Sequence, residues 1–316
     1  MKISAAIIVK NEEHNLVRCI DSIAPICKQI VIVDTGSTDN TPIIATNYGA
    51  DLYFHKWNND FSEARNFALS HCYFEWILCI DADEELVIDE TLLNIISVGF
   101  LENIGGISVI INNFLDEKLL TSKKHYFTRI FKNNKNIRFT GKIHEQIVDS
   151  IIQNNYQIFD SNILINHYGY IDKSTDKELR NKKLLEQENH NDIFIQYHLA
   201  NTYFSMNDLD NALNIYRKID NSSLLSNAQQ ENIKIKIAQI YLTQNKFDDV
   251  IITLDFVSND IDVEGLRLSI LGATYLNLQN YIKAKEYYLS HKVSTSKLIN
   301  PVILENVKKV FAILNI

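Results

Sequence analysis

The chain has 316 residues, of which 46% are hydrophobic and 22% are charged, a composition typical of a folded globular protein. Its formal net charge of −8, with no basic stripe, argues against a protein that binds nucleic acid. The four cysteines have no Cys-x-x-Cys spacing, and the apolar run at the amino terminus is too short for a membrane span or a signal peptide. We therefore expect a reduced, cytoplasmic protein without a transmembrane segment.

Short apolar runs alternate with helical periodicity in the first half of the chain. Apolar runs at residues 5–9, 29–33, 52–54 and 76–80 predict four strands, and the stretches between them predict helices. Strands that alternate with helices predict a largely parallel, doubly wound α/β sheet. A β-rich stretch follows, with further strands predicted at residues 107–111, 126–131, 143–148 and 163–166.

The rest of the chain is helical and repetitive. Similar five-residue motifs end in tyrosine at residues 199–203, 237–241 and 271–275, with spacings of 38 and 34 residues. The second spacing equals the tetratricopeptide period, although an unrelated helical bundle is an alternative. Small residues recur at matching offsets in the second helix of each pair: Ala212, Val250 and Ala284.

These patterns predict three parts of the chain. An α/β domain is expected over residues 1–170, a helical linker over 171–192, and helical repeats over 193–316. Residues 301–314 read as a terminal amphipathic helix. We expect this helix either to cap the array or to form the contact of a homodimer.

Polar clusters follow three of the predicted strands. They are Lys-Asn-Glu-Glu at residues 10–13, a Gly-, Ser- and Thr-rich segment at 34–41, and the carboxylate pair Asp81 and Asp83. The carboxyl ends of parallel strands surround one crevice, where ligands of open α/β sheets bind. Hard divalent cations take carboxylate oxygens and share them with phosphates. An acidic turn and a helix cap explain each cluster alone, but together they predict a site for a nucleotide and a divalent cation.

The order of these clusters resembles the catalytic domain of glycosyltransferase family 2, which has the GT-A fold. The resemblance is carried by Asn-Glu after the first strand and by three further motifs. These are V-D-T-G-S-T-D-N-T at residues 33–41, F-S-E-A-R-N at 61–66 and W-I-L-C-I-D-A-D-E at 76–84. The resemblance implies a nucleotide-diphospho-sugar transferase domain with a Rossmann-like mixed sheet.

Three later motifs are similar to a group of this family that carries tetratricopeptide-like helices after the catalytic domain. They are R-I-F-K-N at residues 129–133, G-K-I-H-E at 141–145 and H-Y-G-Y at 167–170. The group includes the peptide S- and O-glycosyltransferases that modify glycocin bacteriocins, the sublancin type. The resemblance therefore implies an α/β domain followed by an all-α tetratricopeptide-like domain.

The resemblance also implies roles for individual residues around the nucleotide and the metal. Asp83 would ligate Mg²⁺ or Mn²⁺ on the diphosphate and His167 would be a second ligand. One carboxylate with water and phosphates suits Mg²⁺, whereas Mn²⁺ tolerates an imidazole better. Instead of binding a metal, His167 could simply form hydrogen bonds at the end of its strand. Arg180 could likewise lie on a solvated helix face without contacting a ligand. Asp34 would contact the uracil, Asn11 and Glu12 would line the nucleoside pocket, and Arg65 and Asn66 would reach towards the nucleotide. Asp81 would hold the ribose or a metal-bound water, and Arg180 would close over the diphosphate.

Glu145 is the candidate general base, because inverting transfer needs a carboxylate on the face opposite the leaving diphosphate. His144 is the rival base or a residue that orients the acceptor. Neighbouring residues of a strand point to opposite faces, so only one of the two is expected to face the crevice. Glu84 and Glu85 are further candidates, or they cap the next helix.

The sequence thus predicts a metal-dependent inverting glycosyltransferase. It would transfer a hexose, glucose or N-acetylglucosamine, from a UDP-sugar to Cys or Ser/Thr of a bacteriocin-type peptide, a glycocin precursor. A surface-polysaccharide or lipid-linked saccharide is the alternative acceptor. A nucleotidyltransferase would need a glycine- and basic-rich loop after the first strand, which residues 10–13 do not provide. A non-enzymatic scaffold built on the helical repeats is the third possibility.

Overall fold

The computed structural model describes residues 1–98, 102–116, 118–119, 121–169, 175–189 and 191–313. The chain divides into two compact units. The first comprises Met1–Leu115 and Lys123–Asp172, and the second comprises Asp116–Ser122 and Lys173–Ile316.

The first unit is built on a single mixed sheet of eight strands in the order β3-β2-β1-β4-β7-β6-β8-β5. The pairs β1–β2, β2–β3, β1–β4 and β6–β8 are parallel, whereas β4–β7 and β5–β8 are antiparallel. The elements are β1 (Ile3–Val9), α1 (Leu16–Ile23), β2 (Cys27–Asp34), α2 (Thr41–Asn47), β3 (Asp51–Phe54), α3 (Phe61–Ser70), β4 (Trp76–Cys79), β5 (Glu84–Val87), α4 (Glu90–Val98), β6 (Ile104–Phe114), β7 (Ser122–Lys132), α5 (Val148–Gln153) and β8 (Gln157–His167).

Helices cover both faces of this sheet. The side chains of β1 alternate between the two faces, as the pleat requires: Ile7 packs with α1, and Ala6 packs with α3. The apolar stripe of α1 is completely buried. Helix α3 begins at a capping residue, Asp60, whose side chain accepts a hydrogen bond from the backbone N–H of Glu63. The central strands β1 and β4 are therefore buried from both sides, which explains why they are continuous apolar runs in the sequence.

Two sequence-based expectations for local structure were wrong. Residues 143–148 do not form a strand, because Gly141 and His144 have φ angles of 96° and 53°, and a strand cannot continue through them. An isolated bridge between Thr140 and Gln146 closes this loop instead. Glu84 does not cap a helix but begins β5, a short edge strand that pairs with β8.

The second unit consists of helices. The predicted small residues Ala212, Val250 and Ala284 are each completely buried. Each helix pair turns through a residue at positive φ, at matching positions: Asn207 (60°), Asn245 (57°) and Gln279 (57°). The helices are α6 (Thr175–Leu185), α7 (Ile193–Ser205), α8 (Leu209–Ile219), α9 (Asn227–Thr243), α10 (Phe247–Thr253), α11 (Ile261–Asn277), α12 (Tyr281–Tyr288), α13 (His291–Thr295) and α14 (Pro301–Ile313).

The terminal helix α14 packs on the last repeat through one face. Phe311 is buried and Val307 packs in the same cluster, whereas Val310 is 43% exposed. Leu314, the last residue of the predicted apolar face, lies outside the described residues. Among the residues that the structure describes, none of the helices combines the length and the apolar character needed to cross a bilayer.

Candidate active site

The first two predicted clusters lie side by side at the carboxyl ends of β1 and β2. The backbone N–H of Asn11 donates to Ser37 Oγ at 2.9 Å, and Asn11 Oδ1 accepts from the N–H of Thr38 at 2.7 Å. The N–H of Glu12 donates to Thr41 Oγ1 at 2.8 Å. These bonds tie residues 10–13 to residues 34–41, and we call the two segments together the loop wall.

Asp34 ends β2 at the base of the loop wall and is 1% exposed. Its Oδ1 accepts from the backbone N–H groups of Gly36 and Ser37, both at 2.7 Å. Gly36 has a φ of 115°, which a residue with a side chain rarely adopts. The other oxygen, Oδ2, is buried and has no hydrogen-bond partner among the described residues. A buried acceptor of this kind is costly unless a ligand N–H satisfies it.

Two buried arginines organise the end of β4. Asp81 Oδ1 accepts from Arg65 Nη2 at 2.8 Å, and Oδ2 accepts from Arg129 Nη2 at 3.1 Å. Arg65 Nε also donates to Glu145 Oε1 at 2.5 Å, and Arg129 Nη2 donates to Glu84 Oε1 at 2.6 Å. These five residues form what we call the ionic wall. Each oxygen of Asp81 therefore accepts a hydrogen bond from one of the two arginines.

The charges of the ionic wall perturb one another. Burial raises the pKa of Glu84 to about 7, against the opposing effect of Arg129. Burial would also raise the pKa of Asp81, but Arg65 and Arg129 outweigh it and hold that pKa below its ordinary value. Asp81 is therefore the fixed negative charge around which the two guanidinium groups assemble.

Helix α3 holds the loop that carries His144 and Glu145. The backbone N–H of Phe61 donates to Lys142 O at 2.8 Å, and Ser62 Oγ donates to Gly141 O at 2.5 Å. The amide of Asn66 bonds Phe139 on both sides, donating to its carbonyl and accepting from its N–H, each at 2.9 Å. Asn66 and Arg65, both predicted to reach the nucleotide, thus contact residues 139–145 in this structure.

His144 lies next to Glu145 in a left-handed backbone conformation, with a φ of 53°. Burial lowers its pKa to about 4, so the imidazole is neutral at pH 7. A neutral imidazole can accept or donate a hydrogen bond, so His144 stays the rival base or a residue that orients the acceptor.

The predicted metal ligands come together although 84 positions separate them in the chain. Asp83 Oδ2 and His167 Nε2 are 3.5 Å apart. Gly169 packs closely against both side chains: a Cβ at this position would overlap Asp83 Oδ2 and lie 2.7 Å from His167 Nε2. Within the described ranges, no three His, Cys, Asp or Glu side chains are grouped to hold a metal ion. A metal ion at this pair would need its remaining ligands from water or phosphate oxygens.

Arg180 lies in α6 of the second unit and is exposed. Its Nε and Nη2 donate to Asn181 Oδ1 at 3.4 and 3.3 Å. The predicted closure of this residue over the diphosphate remains a prediction.

Sequence reasoning missed several residues that shape the site. Arg129 stands in the R-I-F-K-N motif, but its contact with Asp81 gave no local signal because 48 residues separate the two. Cys79 accepts from Arg65 Nη1 at 3.3 Å, although in the sequence it reads as an apolar strand residue. The side chain of Asn113 is hydrogen-bonded to two imidazoles. Its Oδ1 lies 2.8 Å from His167 Nδ1, and its Nδ2 lies 2.9 Å from His125 Nδ1. The signal for Asn113 is a polar pair inside an otherwise apolar strand.

Known proteins resemble this chain in both units. Family models match residues 4–179 to Glycosyl transferase family 2 and residues 195–222 to the Tetratricopeptide repeat. A TPR repeat-containing protein of Synechococcus elongatus is 33% identical over 177 residues, which cover 54% of this chain and 42% of that protein. The SPbeta prophage-derived glycosyltransferase SunS of Bacillus subtilis is 28% identical over 292 residues, 85% of this chain and 66% of SunS.

The chain thus spans between about two fifths and two thirds of the length of these relatives. Among solved structures, S. aureus TarS 1–349 in complex with UDP covers 91% of each chain with 16% identity and a TM-score of 0.42, a likeness too low to support an argument. The family model matches more than half of the chain, across the sheet and the polar clusters at its edge. The expected GT-A-type mixed sheet followed by tetratricopeptide-like helices is confirmed, and the chain belongs to glycosyl transferase family 2.

Proposed function

We propose that this protein is a metal-dependent inverting glycosyltransferase that moves a hexose from a UDP-sugar to a Cys, Ser or Thr side chain of a bacteriocin-type peptide. The observation that carries the proposal is the meeting of Asp83 and His167 beside Gly169, at the edge of the sheet where the family motifs converge. An acidic turn without function would give no reason to bring an imidazole next to Asp83.

The donor set of this pair fits a divalent cation that binds a diphosphate. One carboxylate and one imidazole leave most coordination positions to phosphate oxygens and water, and the imidazole favours Mn²⁺ over Mg²⁺. When bound, the cation would neutralise the charge that develops on the departing diphosphate. Asp83 and His167 would hold it, and Gly169 lets these two side chains come together.

The loop wall is suited to the nucleoside. Asp34 Oδ2 is a buried acceptor without a partner among the described residues, which the imide N–H of uracil would satisfy. Asn11 and Glu12 sit in the segment bonded to residues 37–41, so they would line the same pocket. A base recognised through one specific hydrogen bond would discriminate UDP-sugars from other nucleotide sugars.

Glu145 would act as the general base. In an inverting transfer the acceptor attacks the anomeric carbon while the bond to the diphosphate breaks, and the acceptor's proton goes to a carboxylate on the attacking side. The guanidinium of Arg65 holds the Glu145 carboxylate at 2.5 Å, and α3 holds the loop around it. A thiol acceptor would depend less on this base, because its reference pKa is much lower than that of a hydroxyl.

The peptide acceptor is supported by the motif resemblance and by the similarity to SunS across both units. Stacked helical repeats offer extended surfaces that bind peptides, and a contact through α14 would allow a homodimer. The four cysteines are buried and free, which suits the cytoplasm. Two alternatives must be distinguished from this proposal. The acceptor could be a polysaccharide or a lipid-linked saccharide, or the protein could be a non-enzymatic scaffold.

The test combines UDP release with the intact mass of candidate peptides. The protein is incubated with Mn²⁺ and either UDP-glucose or UDP-N-acetylglucosamine, with and without peptides that contain Cys or Ser. We expect UDP release that depends on Mn²⁺, and a mass gain of one hexose unit on a peptide. Asp83→Ala should lower turnover by about a thousandfold or more, since it removes the charged ligand.

The outcomes separate the alternatives. Turnover of a saccharide acceptor without any peptide modification would exclude the peptide assignment but keep the transferase. Absence of UDP release with every donor and acceptor would favour the scaffold. Turnover by Asp83→Ala equal to that of the unmodified protein would remove the metal assignment.

A further inference from the structure

We propose that Asn113 is a positioning residue that fixes His167 as an Nε2 metal ligand and, through the same amide group, presents the Nε2–H of His125 to the diphosphate of the donor. The inference rests on the proposed function, because it assumes a cation at Asp83 and His167. It assigns roles to two residues, Asn113 and His125, that none of the family motifs above contains.

The orientation of the Asn113 amide is set by the backbone of the neighbouring strand. Asn113 lies near the end of β6 and is 4% exposed. Its Nδ2 donates to the carbonyl oxygen of Lys123 at 2.9 Å. A carbonyl oxygen only accepts, so the amide nitrogen must face Lys123 and the amide oxygen must face the opposite side.

This orientation decides the tautomer of His167. Asn113 Oδ1 lies 2.8 Å from His167 Nδ1 and can only accept, so the ring hydrogen must be on Nδ1. In the neutral ring the lone pair is then on Nε2, the atom that lies 3.5 Å from Asp83 Oδ2. Ligating histidines usually donate their second ring N–H to such an acceptor, which fixes the ring and raises its affinity for metal.

The same amide decides the tautomer of His125 in the opposite sense. Asn113 Nδ2 lies 2.9 Å from His125 Nδ1 and donates, so this ring must accept at Nδ1 and carry its hydrogen on Nε2. His125 lies on β7 and is exposed. It stands an even number of positions before Arg129, so both side chains leave the same face of the strand. A neutral N–H donor is thereby presented beside the metal ligands, where a phosphate oxygen would accept from it.

One buried amide therefore serves two imidazoles with opposite hydrogen-bonding roles. Its oxygen makes His167 a metal ligand, and its nitrogen makes His125 a hydrogen-bond donor. An aspartate at position 113 would retain the first function and lose the second, whereas an alanine would lose both. This difference makes the two roles separable by mutation.

The first experiment measures Mn²⁺ binding to the full chain without nucleotide, by the loss of the free-ion signal in electron paramagnetic resonance. Asn113→Ala should weaken Mn²⁺ binding by about tenfold to a hundredfold. Asn113→Asp should remain within about threefold of the unmodified protein, since its carboxylate still accepts from His167 Nδ1. Asn112→Ala is the matched control, because Asn112 is the adjacent strand residue and bonds Asn166 at 3.2 Å instead.

The second experiment measures UDP binding at saturating Mn²⁺ by calorimetry. His125→Ala should leave Mn²⁺ binding unchanged but weaken UDP binding by about tenfold, the loss expected for one hydrogen bond to a charged group. Asn113→Asp should weaken UDP binding by a similar factor. His125→Gln, whose amide nitrogen can stand near the position of Nε2, should restore most of the affinity.

The results separate the failure of this inference from the failure of the proposed function. If Asp83→Ala abolishes Mn²⁺ binding while a folded Asn113→Ala binds it normally, the positioning role is wrong and the metal site stands. If His125→Ala binds UDP normally, the donor role of His125 is wrong. If neither Asp83→Ala nor His167→Ala alters Mn²⁺ binding, the metal site itself is wrong. Circular dichroism and the melting temperature check that each variant is folded.

Discussion

The loop wall and the ionic wall stand at the same edge of the sheet, yet different forces hold them. The loop wall is joined by hydrogen bonds from backbone N–H groups to side-chain oxygens, such as that from Glu12 to Thr41, and much of it is exposed. The ionic wall joins buried charges, with Arg65 7% exposed and Glu84 completely buried. Each neutral bond contributes about 1 kcal/mol, whereas a buried charge that loses its partner costs about 3–5 kcal/mol.

The contrast predicts different responses to mutation. The loop wall can lose one hydrogen bond at a small cost in stability, so substitutions in the proposed nucleoside pocket should have small effects. The ionic wall cannot, because each guanidinium serves two carboxylates at once. Four substitutions test this contrast.

The largest effect is expected for Arg129→Met. This change leaves the buried Glu84 without its guanidinium partner and Asp81 with Arg65 alone, so the free energy of unfolding should fall by about 3–5 kcal/mol in urea denaturation. Adding Glu84→Gln should recover part of the loss, because it removes the carboxylate that lost its partner. Lys132→Met on the same strand is the control. A loss below about 1 kcal/mol for Arg129→Met would show that the ionic wall is no more cooperative than the loop wall.

Asn66→Ala should have the second-largest effect. The free energy of unfolding should fall by about 2 kcal/mol, because both the N–H and the carbonyl of Phe139 lose their partner. The turnover number should fall with it, since Phe139 leads into the loop that carries Glu145. Ser70→Ala is the control on the same helix, where the hydroxyl bonds only Phe67. An unchanged turnover number in a destabilised Asn66→Ala would show that α3 does not position this loop.

Arg65→Lys keeps the positive charge but loses the fork that reaches both Asp81 and Glu145. We expect the turnover number to fall about tenfold for a hydroxyl acceptor and less for a thiol, because the thiol needs less help from the base. Arg138→Lys is the control, since the Arg138 guanidinium donates to the backbone carbonyls of Asn134 and Ile137. Equal losses with both acceptors would argue that Arg65 supports the fold rather than the base.

Ser37→Ala should have the smallest effect. It removes the acceptor for the Asn11 N–H at an exposed position, where water can replace it, so the free energy of unfolding should fall by about 1 kcal/mol or less. UDP affinity should change by less than about fivefold. A larger loss of stability would mean that the loop wall is as cooperative as the ionic wall.

Local patterns in the sequence were enough for much of the fold. The apolar runs predicted β1 to β4, and β1 and β4 were the clearest because strands buried on both faces lack polar alternation. The repeated small residues predicted the helix pairs, since Ala212 and its counterparts are buried where two helices meet closely. Asp83 and His167 were paired by family resemblance, which the 3.5 Å separation now supports geometrically.

Long-range pairing was the part that the sequence did not reveal. Nothing near Glu145 in the chain indicates that Arg65 holds it, because a contact across 80 residues depends on the order of strands in the sheet. Residues 143–148 were predicted to form a strand, and a positive φ at His144 has no sequence signal. Strand β5 was missed because two glutamates open it, one of them buried against Arg129.

The clamp between α3 and the Glu145 loop has a consequence for the order of folding. Its bonds join residues 73 to 80 positions apart, and they need β4 and β7 to be in place first. Contacts of such large sequence separation form late, after local helices and adjacent strand pairs. In refolding from urea, helical ellipticity should therefore return before turnover does. The loop that carries Glu145 would then be among the last parts of the chain to reach its final position, so partly folded chains would lack any activity that depends on it.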